Sequence, residues 1–176
     1  TQEGRWEDIR PCIGCLQGCI EKSVQWSNTG ITCAVNPKVG RESEAAGIRI
    51  LAPKKVAVIG GGPAGMQAAA ILSERGHQVA LFERGERLGG NVLVASEPPG
   101  KKETLNLIRH LAFRLKESGA KVCLSTKADA DLIRRERPDA VLLCCGARPR
   151  KLNVPGIESE KVVTAEDVLT GRTAIR

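Results

Sequence analysis

Residues 56 to 65, Val56-Ala57-Val58-Ile59-Gly60-Gly61-Gly62-Pro63-Ala64-Gly65, decide the fold. An apolar run behind Lys54-Lys55 passes into Gly-x-Gly-x-x-Gly and then into Met66-Gln67-Ala68-Ala69-Ala70-Ile71-Leu72. This reads as a buried parallel strand turning sharply into a helix. Gly60 allows the tight turn, Gly62 lets a pyrophosphate approach the backbone, and Gly65 lets the helix lie close to the sheet. Unpaired N–H groups at the helix start favour the anion. A glycine-rich turn also arises for turn geometry alone, so the context matters. Twenty-three residues after Gly60, a second apolar run, Gln78-Val79-Ala80-Leu81-Phe82, ends in Glu83. That is where an acid meets ribose hydroxyls in dinucleotide sites.

The 176 residues suffice for about one domain with a real core. Aliphatic side chains must build it, because there are two Trp, two Phe and no Tyr. A net charge of +7 permits an acidic partner. The basic residues are scattered, however, and lack aromatic stacking partners, so no nucleic acid is expected. No run approaches the roughly 18–20 apolar residues of a membrane span. Thr1 to Asp8 carry no apolar signal core. Seven cysteines without secretory cues suggest a reducing compartment, the cytoplasm, and metal or redox chemistry rather than disulfides.

Cys12, Cys15 and Cys19 crowd one turn, and Cys33 follows after thirteen residues. Soft sulfur ligands select iron–sulfur clusters, zinc or Cu(I). Zinc sites more often come as two separate Cys-x-x-Cys knuckles. Three grouped cysteines plus one remote, followed by Asn36-Pro37, look more like a [4Fe–4S] loop; structural zinc is the alternative. Between the last two cysteines, Ile20 to Trp26 can make one or two helical turns, broken at Asn28-Thr29-Gly30. Residues 38 to 53 read as a polar connection.

Behind Glu83, the loop Arg84 to Asn91 carries Gly89 and Gly90 and either passes a bound cofactor or is a plain connector. Leu105, Ile108, Leu111, Ala112 and Leu115 recur at helical spacing over 101–118, and Gly119 stops that helix. Residues 121–125 predict a short strand, and 129–135 a short helix closed off by Pro138. The apolar run Ala140 to Cys145 predicts a central strand buried on both faces. Thr164 to Leu169 predict a capped helical turn. His77 and His110 fit a turn and a helix face, and Cys123, Cys144 and Cys145 read as small buried apolar residues. No catalytic residue is assigned.

The phrase Glu7-Asp8-Ile9-Arg10-Pro11-Cys12-Ile13-Gly14-Cys15, with Gln17-Gly18-Cys19, Cys33-Ala34-Val35-Asn36-Pro37 and Gly40-Arg41-Glu42, resembles the iron–sulfur flavoenzymes of the Old Yellow Enzyme class. Bacterial 2,4-dienoyl-CoA reductase and trimethylamine dehydrogenase are familiar members. The resemblance runs on through Gly60 to Gly65, Phe82-Glu83, Leu88-Gly89-Gly90, Asp139 to Gly146 and Thr164 to Leu169. It implies an NADH:flavin oxidoreductase in which a TIM barrel carries FMN, a [4Fe–4S] cluster follows, and an FAD domain receives an inserted pyridine-nucleotide domain. This chain would be a fragment or separate subunit covering the cluster segment and the first part of the FAD domain. The barrel and the NAD(P)H-binding domain would then be its partners.

The resemblance further implies that Cys12, Cys15, Cys19 and Cys33 ligate the cluster. Gly60, Gly61, Gly62, Pro63, Ala64 and Gly65 would hold the FAD (or ADP) pyrophosphate, and Glu83 the ribose. Arg84, Gly89, Gly90 and Asn91 would line the cofactor, Ala128 would meet adenine through its backbone, and Gly146 would approach the flavin. Cys144-Cys145-Gly146 stands for the family's Ala-Thr-Gly, keeping the glycine and losing the threonine hydroxyl. Leu16 replaces a common asparagine. The expected organisation is an α/β fold. Residues 1–50 form the iron–sulfur segment, 51–155 a Rossmann-like domain with a mostly parallel sheet, and 156–176 a connection onward.

Overall fold

The glycine-loop strand forms where its sequence places it, and the rest of the sheet is built on it. The computed structural model describes residues 4–24, 30–45, 52–150 and 152–174. Strand β1 spans Lys55–Ile59, helix α2 Pro63–Glu74 and strand β2 Gln78–Phe82, preceded in the chain by the short helix α1, Ile20–Val24. Helix α3, Asn91–Ala95, and helix α4, Leu105–Glu117, lead to strand β3, Lys121–Cys123. Helix α5, Ala130–Glu136, strand β4, Ala140–Leu143, and helix α6, Ala165–Leu169, complete the order. The expected helix at 20–26 is α1 as far as Val24; positions 25 to 29, including Trp26, Asn28 and Thr29, lie outside the described residues.

The four strands form one parallel sheet in the order β3-β2-β1-β4. The α/β, parallel-sheet expectation is met. In-register pairing sets Val56 beside Val79 and Val58 beside Leu81. These four sit in one core with Met66 and Ala69 of α2 and with Ile108, Leu111 and Leu115 of α4. The two helices therefore cover one face, and the apolar stripe read along 105–115 is the face α4 buries. Met66, Leu81 and Val58 are fully enclosed, each burial removing apolar surface worth about 1.5–3 kcal/mol. Gly119, at φ +75, ends α4 in the left-handed region as expected.

Polar contacts fasten the far side of β1. The backbone N–H of Lys55 donates to Asp139 Oδ2 at 2.7 Å, and Asp139 N returns a bond to Lys55 O at 2.7 Å. Lys55 Nζ donates to Glu136 O and, at 3.1 Å, to Glu136 Oε2; that partner holds the Glu136 carboxyl below its usual range. Asp129 caps α5 by accepting from Leu132 N at 2.8 Å, and Thr164 caps α6 by accepting from Asp167 N at 3.1 Å.

Strand β4 departs from its reading. It lies at the sheet edge, not the centre, and its burial alternates. Ala140 and Leu142 turn inward, while Val141 and Leu143 are 41% and 76% exposed. The physical reason is topological: the chain leaves β3, returns past β1 and pairs on β1's free side, with no further strand among the described residues. Likewise Cys145 is exposed and Cys123 is only half-buried, whereas half-buried Cys144 does pack against the core, as an apolar residue would. Strand β3 is shorter than 121–125 because Ser125 turns at φ +49, its N–H going to Gly85 O at 2.8 Å. Among the described residues no helix is long and apolar enough to cross a membrane.

Candidate functional site: a glycine-loop crevice and a four-cysteine loop

In an open parallel sheet a crevice opens at the carboxyl ends of the strands where the strand order reverses. Here that point lies between β1 and β4, since β2 and β3 are laid down on one side of β1 and β4 on the other. Gly60 occupies it at φ +109, and a side chain there would run into the Cys144 carbonyl. A Cβ on Gly65 would overlap the Gly60 carbonyl oxygen, so α2 can rest on the turn only because residue 65 is glycine. Gly62 differs: it begins α2 at ordinary φ −75, and a Cβ there meets nothing within 4 Å. The helix start thus faces open space beside Gly62. Pro63, whose missing N–H is harmless at a first helical position, follows it.

Glu83 closes the β2 side. Its Oε2 accepts from Gly61 N at 2.6 Å and its Oε1 from Gly85 N at 2.7 Å. Both oxygens keep a further lone pair for a hydroxyl. The sequence assigned this acid to a ribose alone; the structure adds that it ties two loops together. The loop behind it does pass the crevice. Gly89 N donates to Gly61 O at 2.8 Å, Gly90 abuts Gly62, and Asn91 Nδ2 reaches Ala147 O at 3.4 Å. Ala128 lies half-buried just after Thr126, whose N–H goes to Glu83 O at 2.8 Å. The structure therefore gathers Gly60 to Gly65, Glu83, Gly89 to Asn91 and Gly146 at one end of the sheet, with Ala128 near the β2 side. Arg84 is exposed. Helix α3, which begins at the second glycine loop, was not read from the sequence. Burial pushes the Cys144 thiol up, with neighbouring Cys145 adding to it.

The four cysteines of the opening segment are free thiols; Cys12 is exposed and the other three half-buried. Cys12 Sγ accepts from Gly14 N at 3.3 Å, and Cys33 Sγ from Val35 N at 3.4 Å. Gly14 and Leu16 both take left-handed φ, +63 and +58, which curls the backbone around the sulfurs. Buried Gly18 is pressed against Thr32, whose N–H donates to Gly18 O at 2.9 Å, so the residues preceding Cys19 and Cys33 cross in contact. Among the described residues no group of three or more His, Cys, Asp or Glu is placed to hold a metal ion. By the chemistry of the donor set, four thiols, two of them accepting N–H···S bonds, suit a soft metal centre, iron–sulfur or zinc.

The sequence places His110 on a helix face and Arg10 in the entry to the cysteine loop, and does not show that the two meet. His110 of α4 is only 4% exposed, and its Nε2 accepts from Arg10 Nε at 3.2 Å. Burial and the Arg10 charge hold its pKa below the ordinary histidine value. The one signal was a polar residue flanking the apolar stripe of α4.

A family model described as pyridine nucleotide-disulphide oxidoreductase matches residues 54–176. The chain belongs to the pyridine nucleotide-disulphide oxidoreductase family. Relatives of this chain include an NADH oxidase of Thermoanaerobacter brockii, 42% identical over 99% of this chain and 27% of that protein. A cinnamate reductase of Clostridium sporogenes is 37% identical over 97% of the chain and 25% of its own length. Among solved structures, a 2-naphthoyl-CoA reductase complex superposes with a TM-score of 0.91 at 34% identity, covering 99% of this chain and 26% of that one. The chain thus spans about a quarter of the length of these relatives.

Proposed function

We propose that this chain is the electron-relay portion of an FAD- and [4Fe–4S]-dependent NAD(P)H:flavin oxidoreductase of the Old Yellow Enzyme class. It would pass electrons between FAD and an FMN on a TIM-barrel domain. The observation that carries the reading is the joining of two features in one body. A glycine-lined crevice that is open at the start of α2, and a four-cysteine loop with two N–H···S bonds held to α4 through Arg10, belong to the same α2–α4 layer. Relatives named as reductases of cinnamate and of 2-naphthoyl-CoA support the redox class.

In this reading Gly60 to Gly65 present backbone and helix start to the pyrophosphate. Glu83 accepts the ribose hydroxyls with its remaining lone pairs. Arg84 and Gly89 to Asn91 wall the crevice, Ala128 meets the adenine, and Gly146 leaves room at the exit of β4. ADP would occupy the same crevice. Cys12, Cys15, Cys19 and Cys33 hold the cluster, with the amides of Gly14 and Val35 tempering the charge on two of the sulfurs. When bound, the flavin supplies two-electron and the cluster one-electron chemistry, and the protein contributes binding and tuning.

Oxygen-free purification with iron, sulfide and zinc analysis, beside calorimetric titration with FAD and ADP, tests this. Iron and sulfide with nucleotide binding are expected. Stoichiometric zinc without iron would replace the relay by a nucleotide-binding module with a structural metal.

A further inference from the structure

Arg10 carries no role in the reading above, yet it joins three parts of the molecule. Its Nε donates to His110 Nε2 at 3.2 Å and its Nη1 to Asn36 Oδ1 at 3.0 Å. Arg10 stands two residues before Cys12, and Asn36 three residues after Cys33. Asn36 Oδ1 also accepts from Lys38 N at 3.1 Å, which fixes the turn behind Cys33. One half-buried guanidinium therefore bridges both cysteine-bearing stretches and pins them to α4. Its other titratable neighbours are Cys33 and the Arg114–Glu74 pair. Burial and Arg114 lower its pKa, while Cys33 and Glu74 oppose them; a guanidinium stays protonated throughout.

A cation fixed in partly desolvated surroundings acts on a nearby charge far more strongly than one in water. Resting on the iron–sulfur reading, we propose that Arg10 is a positioning residue that sets the reduction potential of the four-cysteine site. Held between His110 and Asn36, its charge favours the reduced state of the bound cluster. Reduction adds one electron, supplied by dithionite in the test and by the flavin in the enzyme. No bond to a cysteine breaks, so the site becomes more negative by one charge. That extra charge is what Arg10 stabilises.

The test is a redox titration of the anaerobically purified, iron-loaded chain, followed by absorbance and electron paramagnetic resonance. Arg10→Gln should make the cluster about tenfold harder to reduce, a shift of ~59 mV to lower potential for a one-electron couple. Arg10→Lys should stay close to the parent. Lys116→Gln removes a charge from the exposed last turn of the same helix and should leave the potential unchanged. An unmoved Arg10→Gln, or an equal shift in Lys116→Gln, overturns the proposal. If Arg10→Gln retains no iron, Arg10→Lys decides: iron held at the parent potential supports the role of the charge, and an equally empty Lys variant overturns it. A parent chain without iron defeats the iron–sulfur reading instead, which keeps the two failures apart.

Discussion

Methyl groups added at positions 62 and 65 should have opposite effects, although both positions belong to one glycine motif. Gly62→Ala places its Cβ in open space at a backbone conformation alanine accepts. Stability should change by less than about 0.5 kcal/mol, while ADP affinity falls, because the methyl group stands where the phosphates approach. Gly65→Ala drives its Cβ into the Gly60 carbonyl and should cost about 1–3 kcal/mol, the usual penalty of overpacking. Urea melts and calorimetry with ADP separate the two effects, and a destabilised Gly62→Ala would refute the assignment. Glu83 needs the same care, since it bonds Gly61 N and Gly85 N in the chain itself. Glu83→Ala should lower both ADP affinity and stability, the latter by about 1–3 kcal/mol for amides left unpaired. Glu83→Gln, which keeps one acceptor oxygen, should recover part of the stability. Equal stability of Glu83→Ala and the parent would remove the loop-tying role.

Elements were legible where local periodicity and burial agree. The helix over 105–117 announced its buried stripe, and β1, α2 and β2 followed from an apolar run, a glycine loop and a second run. Strand β4 differs from its sequence expectation because an unbroken apolar run fits any strand buried on two sides, and sequence does not say which strands lack a neighbour. The site divides in the same way. The glycine loop, Glu83 and the cysteines could be named from spacing. The Arg10–His110–Asn36 contacts could not, since they join positions as many as 100 residues apart. Those contacts make the docking of the opening segment on α4 sensitive to acid. His110 must be neutral to accept from Arg10, and burial together with Arg10 depresses its pKa. Between the ordinary value of about 6.5 and the lower folded value, the unfolded chain binds more protons. Stability is therefore whole above that window and declines as pH falls through it. Denaturation midpoints should drop as pH falls below the ordinary histidine value of about 6.5, and the drop should shrink in His110→Gln. An undiminished drop in that variant would assign the effect elsewhere.

At the scale of the whole sheet, β4 has no neighbour on its outer side among the described residues. Val141 and Leu143 face outward from β4, beside unpaired strand backbone. Such an edge is a template for self-association unless a charge blunts it. Leu143→Lys should lower the apparent mass of the purified chain in sedimentation at high concentration. If the parent is already monodisperse, the edge is harmless.

The register of β4 on β1 has one more consequence. The phosphate loop arises between neighbours, β1, α2 and β2, but its opposite wall at Cys144 depends on a strand whose anchor, Asp139, is 84 positions from Lys55. Closing so long a stretch comes slowly. In pulse-labelled hydrogen exchange during refolding, the amides of β1 and β2 should be shielded before those of β4. The crevice would thus be finished from one side first, and a ligand spanning it would grip the last part of the chain to find its place.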